Sequence, residues 1–191
     1  MANFDEAHRV IMRNEGGYSN VGTDSGGETY KGISRKWHPH WAGWAIIDAV
    51  KAMRPIKWNE EINDVNLKIN VKNFYRQYWR RFKGDSIRNQ NIANIMFDMF
   101  VMTDDDAVKI AQRIGNAMGY ALKVDGDLGK LTAGFINSVE PYLFYSRFFE
   151  AREQFHRRVA ASNAATGMPN LEGWLRRLST FSFYLKKKTI A

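Results

Sequence analysis

Two carboxylates, Glu15 and Asp24, lie nine positions apart in NEGGYSNVGTDSGGETYKGIS, residues 14–34. Their settings differ. Phe4, His8, Ile11 and Glu15 recur at the i, i+4, i+7, i+11 spacing of one helix face, so Glu15 ends an apolar stripe on the last turn of a helix expected over 3–15. Burial and the negative end of the helix dipole both disfavour an ionised carboxylate there, and a protonated carboxyl is what a general acid needs. Asp24 instead sits among Gly22, Thr23, Ser25, Gly26 and Gly27, where hydroxyls, backbone and water favour the anion. A pair of carboxyl groups held in opposite protonation states can hydrolyse a glycoside: one protonates the leaving oxygen, the other serves as base or nucleophile. Thr29, five positions after Asp24, offers a hydroxyl to hold the attacking water. The same residues also fit a solvated helix end followed by Gly-Gly, with an Asp as turn former. Spacing alone does not choose between these readings.

The elements that must position these groups read as helices. Asn3 is the expected N-cap of the first, and Gly16-Gly17 stop it. Further helices are expected over 41–53, ended before Pro55, and over 63–82, where Val71, Phe74, Tyr75, Tyr78 and Phe82 share a stripe and Gly84 is placed to end it. Others follow over 90–102, over 103–119 with Thr103 and Asp106 as a capping pattern, over 130–138 and over 141–163. VDGDLG reads as a tight turn, NAATGMPN as a loop, and a last amphipathic stretch starts near Leu171. The fold class is mainly α, with room for strand only in the opening stretch.

With 191 residues, 45% hydrophobic and 14% aromatic, the chain has ample material for a core. The absence of cysteine excludes disulfides and thiolate chemistry. The first residues lack a basic then apolar leader pattern, and no apolar run reaches the roughly 18 residues of a membrane span. Synthesis in the cytoplasm without a cleavable signal is therefore expected. The net charge of +8 points to a polyanionic partner, whether nucleic acid, anionic membrane or cell-wall polymer.

The stretch as a whole closely resembles the signature of glycoside hydrolase family 108, the N-acetylmuramidases of phage endolysins and of bacterial proteins labelled secretion activators. Glu-Gly-Gly-Tyr, Asp-x-Gly-Gly-x-Thr and Gly-Ile-Ser occur in order and spacing. FDM at 97–99, VDGDLG at 124–129 and GWLRR at 173–177 are similar to the peptidoglycan-binding-type region that follows the muramidase part; MTDDD stands where that region often has Asn-Ser-Gly, and Ser25 where the loop often has Pro. The resemblance implies a lysozyme-like fold with a cleft beside the glycine-rich loop, a muramidase region over 1–88, and a helical peptidoglycan-binding-type region over 89–191 packed with it as one unit. It implies Glu15 as catalytic acid, completed by Asp24 and Thr29, with Tyr18, Gly26, Gly27, Tyr30 and Trp37 on the substrate. The expected partner is the peptidoglycan glycan strand, the protein a monomer needing no cofactor or metal, reaching the wall after release from the cell.

Other patterns carry less. WHPHW at 37–41 holds His38 and His40 without a third ligand, and its tryptophans serve either a core or a sugar face. Asp104, Asp105 and Asp106 lack the alternate spacing of a calcium loop. YRQYWRRFKGDSIR, 75–88, interleaves aromatic and basic residues as nucleic-acid binders do, but its aromatics follow the helical stripe and leave a basic outer face. A non-catalytic wall binder or a nucleic-acid binder is the alternative of a different class.

Overall fold

A computed structural model of the chain describes residues 1–20, 27–162 and 164–183. Among these the order is α1 Phe4–Asn14, β1 Tyr18–Ser19, β2 Thr29–Tyr30, β3 Ile33–Ser34, α2 Gly43–Met53, α3 Val65–Phe82, a 3₁₀ turn Gly84–Ser86, α4 Gln90–Thr103, α5 Asp106–Ala117, α6 Lys130–Ser138, α7 Pro141–Ser162 and α8 Ala164–Ser179. This is the expected mainly helical, lysozyme-like class, with its strands confined to the opening stretch. No helix among the described residues is long and apolar enough to cross a membrane. The contacts divide the chain into two compact units, His8–Tyr78 and Met1–Ala7 with Trp79–Ala191.

In the unit His8–Tyr78, β1, β2 and β3 form an antiparallel sheet in sequence order, with Tyr18 opposite Tyr30 and Tyr30 opposite Ile33. Lys31 (φ 48°) and Gly32 (φ 75°) close the β2–β3 hairpin, the two left-handed residues that a mirror-type two-residue turn demands. Strands of two residues do not hold themselves, so the sheet is pinned from outside. Tyr18 N–H donates to Glu60 O (2.9 Å), Asn59 N–H to Tyr18 O (2.7 Å), and Ile62 N–H to the Tyr30 hydroxyl (3.1 Å). Asp64 caps α3 by accepting from Leu67 N–H at 2.7 Å, and Leu67, Val71 and Tyr75 form its buried stripe.

In the other unit Asn3 caps α1 as expected, its Oδ1 accepting from Asp5 N–H (2.7 Å) and Glu6 N–H (3.2 Å). Asn89 does the same for α4. Trp79, Phe82, Phe97 and Phe100 build an aromatic core with edge and stacked contacts; α5 and α7 pack on α4, which carries Phe97 and Phe100, and α8 packs on α7.

Three local expectations change. Lys83, not Gly84, takes the left-handed position after α3 (φ 58°); a Cβ on Gly84 would come within 2.5 Å of the Trp79 indole, so glycine there serves close packing. Thr103 is the last residue of α4 and donates its hydroxyl to Met99 O (2.9 Å), so the bond back along its own helix displaces the cap expected for α5. NAATGMPN falls largely within α8, which carries Pro169 inside it; packing of α8 on α7 overrides the local turn chemistry.

Candidate active site

Glu15 follows the last residue of α1 and extends its ladder, donating its N–H to Ile11 O at 3.1 Å. It is partly exposed. Its carboxylate lies against the backbone of Gly32: a Cβ built there would overlap Glu15 Oε2 and come within 2.8 Å of the Tyr75 hydroxyl oxygen. One point at the hairpin turn is thus shared by the carboxylate, the phenol and a bare backbone. The φ of 75° adds a second reason for glycine at this position. Tyr75 holds the corner from α3, donating its hydroxyl to Lys31 O at 2.7 Å, and the His8 ring meets the Tyr75 ring edge-on at 5.8 Å.

The backbone beside Glu15 is equally constrained. Asn59 Oδ1 accepts from Gly17 N–H (2.8 Å), Lys31 N–H reaches Gly17 O (3.3 Å), and a side chain on Gly17 would overlap the Asn59–Glu60 backbone. The Gly-Gly after Glu15 therefore does more than end a helix: it lets the 59–60 segment lie directly against the chain carrying the acid.

Thr29 lies on β2, half-buried, opposite Ser19 and Ser34. Asp24 and Gly26 lie outside the described residues. Gly27 has φ 63°, with open space where a side chain would be. Tyr18 and Tyr30 are buried, at 6% and 3% exposure, and their hydroxyls are engaged: Tyr18 donates to Glu28 Oε1 (2.8 Å), and Tyr30 accepts from Ile62 N–H. Burial and the Glu28 carboxylate push the Tyr18 phenol up. Trp37, by contrast, is 69% exposed.

Glu28 is a hub that the sequence did not single out. Its carboxylate takes Arg35 Nε at 2.5 Å, Lys51 Nζ at 2.8 Å and the Tyr18 hydroxyl. Burial raises its pKa, but Lys51, Tyr18 and Arg35 together outweigh burial and leave it lowered. Glu28 is thus held as an anion, tying the sheet to α2. Sequence reasoning placed Tyr75 on a packing stripe and passed over Asn59. The available signal was a phenol at a position where phenylalanine would pack as well, since a buried hydroxyl needs a partner. No group of three or more His, Cys, Asp or Glu is placed to hold a metal among the described residues.

Glu15 thus stands at the end of a helix beside a three-stranded antiparallel sheet of minimal length, within a mainly helical, lysozyme-like α+β fold. Residues 8–103 match the family model described as Glycosyl hydrolase 108, and residues 106–179 match one described as a predicted peptidoglycan domain. The chain belongs to glycosyl hydrolase family 108, and it is a peptidoglycan hydrolase. Its fold is similar to that in the solved structure of Brucella abortus SagA, with a TM-score of 0.60 and 19% identity over 95% of this chain and 96% of that one. A search of curated proteins finds no match.

Proposed function

We propose that the protein is a lysozyme, an N-acetylmuramidase that cleaves the β-1,4 bond between N-acetylmuramic acid and N-acetylglucosamine. Glu15 gives its proton to the glycosidic oxygen as positive charge develops on the anomeric carbon from which that oxygen departs. Asp24 stabilises that charge or directs water, and the Thr29 hydroxyl helps hold the water. The observation that carries the reading is the convergence of Glu15, Gly32 and Tyr75: the carboxyl group meets an exposed strip of backbone with no side chain to keep a sugar ring away. Gly27 and Trp37 are proposed to contact the glycan. Tyr18 and Tyr30 are proposed to act from beneath, shaping the backbone on which it lies.

Residues 1–88 carry the cleavage in this reading, and residues 89–191 hold the wall. The enzyme works as a monomer on the wall side of the membrane after release. Its net charge of +8 draws it to anionic wall polymer, so activity falls as salt rises. Mass analysis of muropeptides from a digest of purified peptidoglycan tests the chemistry. Hydrolysed muramyl reducing ends that vanish in Glu15→Gln are expected. Anhydro-muramyl ends, or cut stem peptides with intact glycan, would overturn the assignment.

A further inference from the structure

The unit His8–Tyr78 also holds a concavity of about 450 Å³ between the Trp37–Ala42 segment and α3. That volume falls within the range of about 300–1,000 Å³ usual for small-ligand sites. Its lining contains no Asp, Glu, Lys or Arg. Asn70, Asn73 and Gln77 enter it from α3 at i, i+3 and i+7, one face of the helix. Among the described residues these three side-chain amides make no hydrogen bond with the protein. On the opposite wall Trp37 is the exposed aromatic surface.

The aromatic wall is held in place. Trp41 donates its indole N–H to Asn70 O (3.3 Å), Trp44 donates to His38 O (2.8 Å), and the two indoles meet edge-on at 5.1 Å. Gly43 permits this, because a Cβ there would overlap the Trp41 ring. His38 is packed edge-on against Phe74 at 4.7 Å, with the Tyr78 hydroxyl 3.4 Å from its Nε2; burial pushes its pKa down, so the ring adds no charge at neutral pH. Lys36 Nζ stands 5.0 Å from the Trp37 ring centroid but is not part of the lining.

An exposed indole face with unengaged amides suits an uncharged, acetamido-bearing sugar: the ring's C–H face lies on the indole, and the amides exchange hydrogen bonds with hydroxyls and the acetamide. A muramyl residue brings a lactyl carboxylate or a charged peptide, and anionic wall polymers bring phosphate. Neither finds a counter-charge in the lining. Phe74, which floors the concavity, precedes Tyr75, and their rings are 5.5 Å apart, so one helix backs both this concavity and the Glu15 corner.

We infer that this concavity is a glycan subsite for N-acetylglucosamine, with Glu15 outside its lining, which orients the strand by taking its uncharged sugars. The inference rests on the reading of the protein as a glycosidase acting on the glycan strand. N-acetylchitotetraose, a probe with neither lactyl group nor peptide, is titrated into the full-length Glu15→Gln chain while the indole N–H signals are followed by NMR. The Trp37 indole signal is expected to move. Affinity is expected to fall at least fivefold in Trp37→Ala and in the double variant Asn73→Ala/Gln77→Ala, whose two positions are exposed and leave the helix intact by circular dichroism. Affinity unchanged in the double variant, a stationary Trp37 signal, or equal competition by a muramyl dipeptide would overturn the subsite. Because the readout is binding, a protein that binds the probe yet cuts no glycan removes the cleavage assignment alone. One that cuts glycan with unaltered binding in these variants removes the subsite alone.

Discussion

Each unit of the molecule is organised around a carboxylate, and the two are treated in opposite ways. In His8–Tyr78, Glu15 is partly exposed at a helix end against bare backbone. In the other unit Asp98 is wholly buried on α4. Arg152 Nη2 on α7 donates to it at 2.6 Å, and Arg177 on α8 donates to it through Nε (3.0 Å) and Nη2 (2.7 Å). Arg152 is itself fully buried, with Nη1 on Ile95 O (3.2 Å) and Nε facing His156 Nε2 at 3.3 Å. Burial raises the Asp98 carboxyl, but the two guanidiniums outweigh it and hold the pKa below the ordinary range. Burial pulls Arg152 down, yet a guanidinium starts so high that it stays cationic. Asp98 thus joins three helices as a permanent anion surrounded by donors, which leaves no room for a substrate. Glu15 keeps an approach for one, as the acid role proposed for it requires, whereas Asp98 is spent on holding helices together.

Substitutions sharpen this contrast. The largest effect belongs to Glu15→Gln, expected to lower glycan cleavage by about 10²–10⁴ with the thermal midpoint nearly unchanged. Reducing-end release and calorimetry on one preparation would check it, and a large loss of stability would merge the two roles. Asp98→Ala reverses the pattern. It leaves Arg152 buried without its counter-charge and is expected to cost about 3–5 kcal/mol in denaturant unfolding.

The third test is pH. Burial, reinforced by Arg152, depresses His156 to about 4 from its ordinary 6.5, so the unfolded chain binds a proton that the folded chain refuses between these values. Stability should therefore fall as pH drops from 6.5 towards 4, by about 3 kcal/mol in total, and level off below that as far as this group is concerned. Urea midpoints across that window would show a flatter profile in His156→Gln. Next comes Gly32→Ala, where a side chain strains the left-handed backbone and displaces Glu15; roughly tenfold lower turnover is expected in steady-state assays. Smallest is Arg176→Ala, which breaks an exposed i,i+4 pair with Glu172 and should move the midpoint by about a degree or less.

The helices of both units were legible from apolar spacing, as was the position of Glu15 at the end of the first. Asn3 and the VDGDLG turn followed from local side-chain chemistry; in the latter Asp125 Oδ1 accepts from Asp127 N–H at 2.9 Å. Thr103 and the start of α8 misled because tertiary packing and a back-bond to the helix competed with equally good local signals. The Asp98 cluster was invisible for another reason. Its members stand 54 and 79 positions apart, and neither FDM nor GWLRR says that its charges will meet. The Tyr75–Lys31 bond, spanning 44 positions, was hidden in the same way.

That last bond has a thermal consequence. A hairpin with two-residue strands cannot keep its shape alone, so the corner facing Glu15 exists only while α3 stays docked and Tyr75 holds the Lys31 carbonyl. Catalytic rate measured against temperature should then trace the melting of residues 8–78 in particular, and activity becomes a thermometer for one of the two units.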